Sequence, residues 1–264
     1  MTLMGSWIQL HEAERAIAEG RGRGIKIAVI DSGVEPAHPM LAGMKITEDI
    51  AIVDDGVKLE VAPSDGDVFG HGTAVSGIVK SLAPEAEVGS IRVLGRNNSS
   101  RTAIIQRGAQ EALSRGYHIL NCSFGCAVEA QVLTYKAWVD EAYLRGVHVV
   151  AACNNDDFRT PEWPAFFPSV LAVNMARTND ESIFFYMRGT LVEFAAQGVD
   201  VTVAWRDGGK KLVTGSSFAA PRISALLARL LSVYPDLSPL QAKSILHAIA
   251  KPWTGKMAAD NVLD

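Results

Sequence analysis

Short apolar runs rich in β-branched residues, separated by amphipathic stretches, recur along this chain and restrict what it can fold into. Residues 26–31 (KIAVID), 88–93 (VGSIRV), 117–122 (YHILNC) and 147–152 (VHVVAA) are too short for buried helices and have glycine close by, so they read as buried strands. Residues 71–82, 101–115 and 129–145 between them have helical spacing. Strand, helix, strand in that order predicts βαβ units and a parallel sheet covered on both faces. Strands near 170–175, 191–195 and 199–204 and a helix over 217–233 continue the pattern. A last helix opens at Ser238-Pro239, a cap residue followed by proline at the first helical position. With no linker, repeat or low-complexity segment, the expectation is one α/β domain over residues 1–264.

Composition excludes several partners. The net charge of −4 is spread over interspersed acids and bases, so no basic face invites nucleic acid. No apolar run approaches the ~18 residues of a membrane span, and the N-terminus lacks the layout of a secretory signal. Cys122, Cys126 and Cys153 are odd in number and lack metal-type spacing, which predicts reduced thiols and a cytoplasmic setting. No metal or organic cofactor is expected.

In parallel α/β sheets, sites form beyond the carboxyl ends of the strands. Those ends carry Asp31-Ser32-Gly33, Asn121-Cys122-Ser123-Phe124-Gly125 and Ala151-Ala152-Cys153-Asn154-Asn155. His71 opens a helix in FGHGTAVSGIV, and VTGSSFAAP places Ser216 and Ser217 at another helix start. A serine nucleophile needs a base, a carboxylate to orient the base, and donors for the oxyanion. Asp31, His71 and a serine supply that set in one of the chain orders known for such triads. Taken singly, Asp31 reads as a turn cap, His71 as a polar residue at a helix start and Ser217 as an N-cap; their joint order favours catalysis.

Three motifs carry a family likeness: Val29-Ile30-Asp31-Ser32-Gly33 with His38-Pro39 after it, Gly70-His71-Gly72-Thr73, and Gly215-Ser216-Ser217-Phe218-Ala219-Ala220-Pro221. In this order the chain resembles the subtilisin-like serine peptidases, the subtilases, over residues 7–250. The resemblance implies a three-layer fold with a mostly parallel sheet and an Asp31, His71, Ser217 triad acting through an acyl-enzyme. It makes Ser217 the nucleophile and Ser216 a supporting residue. Asn154 and the Ser217 N–H would hold the oxyanion. Ser123, Phe124 and Gly125 with Ala151, Ala152 and Cys153 would wall the specificity pocket. Asn98, Ser99 and Ser100 would pair with an extended polypeptide by strand addition.

The chain departs from the family in three places. Ser76 to Pro84 runs on without the loop that brings calcium ligands to secreted relatives, and residues 7–24 already resemble the mature start, so no inhibitory propeptide is expected. Cys153 stands where relatives commonly place glycine and is expected to reshape the pocket or the oxyanion loop. By the resemblance Glu162 falls at the pocket floor, which predicts cleavage after Arg or Lys; the alternative is that its loop turns Glu162 into solvent. A peptide-gripping pseudo-peptidase is the rival reading. An esterase is disfavoured by the lack of G-x-S-x-G and by the triad order.

Overall fold

The computed structural model describes residues 8–253. Trp7, where the likeness was placed to begin, lies outside the described residues. The first half runs α1 (Leu10–Glu19), β1 (Lys26–Asp31), β2 (Lys45–Asp54), β3 (Leu59–Pro63), α2 (His71–Leu82), β4 (Glu87–Arg92), α3 (Thr102–Ser114), β5 (Ile119–Cys122) and α4 (Val132–Leu144). The second half runs β6 (His148–Ala152), β7 (Leu171–Ala176), β8 (Phe184–Tyr186), β9 (Phe194–Gln197), β10 (Val201–Trp205), β11 (Gly209–Val213), α5 (Ser216–Leu231), α6 (Pro239–Ile249) and β12 (Lys251–Pro252).

Ten strands form one sheet in the order β12-β8-β9-β7-β6-β5-β1-β4-β2-β3. Its pairs are parallel except β2 with β3 and β8 with β9. The alternation of side chains across a strand sorts β1 into two cores. Ile27 and Val29 join the core packed by α1, α2, α5 and α6, whereas Ala28 and Ile30 join that of α3 and α4. Helices therefore cover both faces, as the βαβ reading requires.

The strand at 26–31 and the helix at 71–82 fall where the pattern put them. β5 starts at Ile119, two residues later than expected; Tyr117 ahead of it fills the space over Gly89, where any Cβ would meet its hydroxyl at 1.7 Å. The expected strand at 191–195 is instead Phe194–Gln197. β10 lies off the main sheet and pairs only with β11. The β2–β3 hairpin, unforeseen in the sequence, forms one sheet edge.

In the main sheet β1 separates β4 from β5, so the chain switches sides at the carboxyl end of β1. Asp31 stands at that crevice.

Candidate active site

Asp31 closes β1, fully buried, and accepts from the His71 ring through Nδ1 at 2.8 and 2.9 Å and from the Ser32 N–H at 2.7 Å. An ionised carboxylate only accepts, so Nδ1 carries the proton and Nε2 is left as the basic nitrogen. The approach is close because Gly72 follows His71. A Cβ there would lie 2.0 Å from the Gly33 carbonyl oxygen and 3.2 Å from the Asp31 Cβ. Burial by itself would lower the His71 pKa, but the charge and hydrogen bond of Asp31 outweigh it. Asp67 adds to the rise and Lys211 opposes it, and the net shift is upward.

Ser216 and Ser217 open α5 and have different surroundings. The Ser216 hydroxyl, with no solvent exposure, lies 2.7 Å from the Cys153 carbonyl and 2.9 Å from Asn155 Oδ1. Ser217 is only partly buried. Its hydroxyl donates to the Ser123 carbonyl at 3.2 Å, and the Ser123 hydroxyl donates back to the Ser217 carbonyl at 2.9 Å. Asn121 bridges behind them, donating to Ser123 Oγ and accepting from Ser224 of α5. The next residue, Phe218, packs its ring 5.2 Å from the His71 ring, centroid to centroid. The start of α5 thus sits between the end of β5 and His71.

The two asparagines after β6 have different partners. Asn154 turns into its own loop: Oδ1 accepts from the N–H groups of Asp156 and Asp157, and Nδ2 donates to Glu162 at 2.9 Å. Asn155 reaches α5, where its Oδ1 accepts from the Ser216 N–H at 2.8 Å. That contact leaves Asn155 Nδ2 and the Ser217 N–H without hydrogen bonds among the described residues. An amide next to an uncapped helix N–H is a pair of donors suited to developing negative charge. Asn155, and not Asn154, is the asparagine that the structure sets against the start of α5.

Glu162 lies between the two pocket walls. Its Oε2 is 2.4 Å from where a Cβ of Gly125 would stand, so only glycine leaves room for the carboxylate there. Paired backbone bonds between Cys126 and Trp163, both 3.0 Å, draw this segment against the 123–126 wall. Phe124 is half-buried beside it, and Asp156 and Asp157 are exposed. Ala151 and Ala152 are buried, their side chains in the two cores. Cys153 is also core, 4% exposed. Burial first, then the charges of Glu162 and Asp157, push its thiol up to about 12. Its Sγ lies 3.3 Å from the Asn154 carbonyl oxygen, so the thiol borders the loop it is expected to reshape.

Asn98, Ser99 and Ser100 form a turn between β4 and α3, with Gly95 N–H bonded to the Ser99 carbonyl at 3.0 Å. Ser99 and Ser100 line a cavity of about 420 Å³ with Ile52, Arg92, Leu94 and Ile104. All three cysteines are free. Among the described residues no group of three or more His, Cys, Asp or Glu is placed to hold a metal, and no helix is long and apolar enough to cross a membrane. Asp67, and Lys211 on the β10–β11 hairpin, act on His71 without having been foreseen from sequence, and Trp205 of that hairpin packs on Gly70.

A carboxylate-held imidazole and a serine at a helix N-terminus are the groups that the class of serine hydrolases uses. Comparison with known proteins is more specific. The subtilase family model matches residues 22–262, and the chain belongs to that family. Subtilisin DY of Bacillus licheniformis is 30% identical over 257 residues, covering 92% of this chain and 90% of that protein. A thermostable alkaline protease of Halalkalibacterium halodurans is 28% identical over 87% of this chain, which spans 63% of that relative's length. A cold-adapted subtilisin-like serine proteinase of known structure superposes with a TM-score of 0.74 at 26% identity, covering 92% of this chain and 86% of that one. The protein is a peptide hydrolase of subtilisin-like fold, and its substrate is peptide.

Proposed function

We propose that the chain is an endopeptidase in a single domain that cleaves extended polypeptide after Arg or Lys, through an acyl-enzyme on Ser217. The observation that carries this reading is the Asp31–His71 pair packed on Phe218 at the start of α5, where Ser217 stands and Ser216 anchors a free carboxamide. Substrate binding would turn the Ser217 hydroxyl from the Ser123 carbonyl to His71 Nε2. His71 takes its proton as Ser217 attacks and returns it to the leaving amine, while Asp31 stabilises the imidazolium. The Ser217 N–H and Asn155 Nδ2 receive the oxyanion. Water then hydrolyses the acyl-enzyme by the same route in reverse.

Support for the basic preference comes from Glu162, a carboxylate set between the pocket walls and held by Asn154. Such a charge in a partly desolvated pocket attracts a guanidinium or ammonium more strongly than in water. Asn98, Ser99 and Ser100 would bind the acyl side of the substrate as an added strand. The free thiols support a cytoplasmic, selective processing role, which cell fractionation would check.

The test pairs a fluorophosphonate probe with a peptide-library digest. A stoichiometric adduct on Ser217 and cleavage after Arg or Lys, flattened by Glu162→Gln, is the expected result. Absence of label would favour the peptide-gripping pseudo-peptidase, and label with turnover of esters alone would favour an esterase.

A further inference from the structure

Asp67, in the loop before α2, places its carboxylate where β1 meets α2. It accepts five hydrogen bonds: from the Ser32 hydroxyl at 2.7 Å, from the N–H groups of Phe69, Gly70 and Thr73, and from the Thr73 hydroxyl at 2.7 Å. Every donor flanks the Asp31–His71 pair. Ser32 follows Asp31 and its Oγ also accepts from the Gly72 N–H at 3.0 Å, so Asp67, Ser32 and Gly72 form a chain from the end of β1 into the first turn of α2. The Val68 N–H closes the loop on the Ser32 carbonyl, and the Thr73 hydroxyl accepts from the Glu35 N–H. Local capping of α2 would need only the N–H contacts. The two hydroxyls join this carboxylate to the segment that carries Asp31.

We infer that Asp67 is a positioning residue for the peptidase reaction: it locks His71 against Asp31 and places a second negative charge behind the imidazole. The inference rests on the triad reading given above. The charged and titratable groups around His71 are Asp31 on β1, Asp67 itself and Lys211 on β11, while α5 presents Phe218 and Ser217. Lys211 lies over the Trp205 ring at 4.1 Å, and that ring packs on Gly70, where a Cβ would approach within 2.6 Å of it. Two carboxylates therefore oppose one cation. Asp67 supplies the second negative charge without touching the ring, so the Nδ1 hydrogen bond to Asp31 stays undivided. The imidazolium formed when Ser217 gives up its proton is the species that benefits.

Asp67→Asn and Asp67→Ser both remove the charge, and serine still accepts from helix N–H groups if the asparagine variant folds poorly. Ser32→Ala keeps the charge but cuts the tie to β1. The His71 imidazole is titrated by NMR, and kcat/KM is followed against pH on an Arg-containing peptide. Removing the charge should move both the titration and the acid limb to lower pH by on the order of half a unit to one unit, about three- to tenfold in proton affinity. Ser32→Ala should lower the rate plateau with both midpoints in place. An unchanged His71 titration in the folded Asp67 variants overturns the inference, even if they melt earlier, since a purely structural residue would change melting alone. Wild-type protein that takes no probe on Ser217 would defeat the peptidase reading instead, and the NMR titration still decides for or against the charge.

Discussion

Two neighbouring amides share one chemical type and divide two roles, and their hydrogen bonds decide which is which. Asn155→Ala should lower kcat by about 10²- to 10³-fold with KM little changed, the pattern of a contact made in the transition state; that magnitude is the one known from subtilisin. Asn154→Ala frees Glu162, so it should weaken discrimination for Arg and Lys over neutral residues while sparing most of kcat on a good substrate. Steady-state kinetics of both variants on matched peptides checks the pair. Reversed effects would return the oxyanion role to Asn154. The Asp31–His71 pairing was legible because both residues stand in motifs whose neighbours have a backbone reason to be there: Gly72 permits the close approach to Gly33. The burial of Cys153 was not legible, since it depends on what packs over the segment after β6.

Elements were readable where their pattern was local. β1 and α2 have unbroken periodicity and matched their expected limits, whereas β2 and β3 are only partly buried and gave no clean alternation. A signal for both overlooked hairpins was present: Asp55-Gly56 and Asp207-Gly208 sit in their turns, with Gly56, Asp207 and Gly208 at positive φ. α6 shows what pattern cannot give. Its Lys243 donates to the carbonyls of Pro168 at 2.6 Å and Val170 at 2.9 Å and pairs with the buried Glu193, which His247 also contacts at 3.0 Å. Removing one partner of a buried pair strands the other charge, so Lys243→Ala should destabilise the protein by about 3 kcal/mol or more. Urea unfolding measures it, and a loss under about 1 kcal/mol would mean that water reaches Glu193.

At the scale of the whole molecule, stability should depend on acid through His148. This residue is buried at the start of β6, and burial first, helped by nearby His118, lowers its pKa to about 4 while a hydrogen bond to the Leu237 backbone pulls upward. An unfolded imidazole titrates near 6.5, so between roughly pH 6.5 and pH 4 the unfolded chain takes up a proton that the folded chain refuses. Stability contributed by the neutral ring is complete above that window and is lost as pH falls through it. The thermal midpoint should drop on acidification across the window, and His148→Gln should flatten that drop; parallel curves for the two proteins would clear His148 of the effect. By itself the sequence determined the alternation of strands and helices, the parallel sheet and the order Asp31, His71, Ser217, because periodicity and glycine placement act through the backbone within a few residues. Only the tertiary structure decided that Asn155 rather than Asn154 meets Ser216, that Glu162 lies against Gly125 and that Asp67 ties β1 to α2. Those outcomes depend on where side chains from segments distant in sequence meet, and no local pattern encodes such distances.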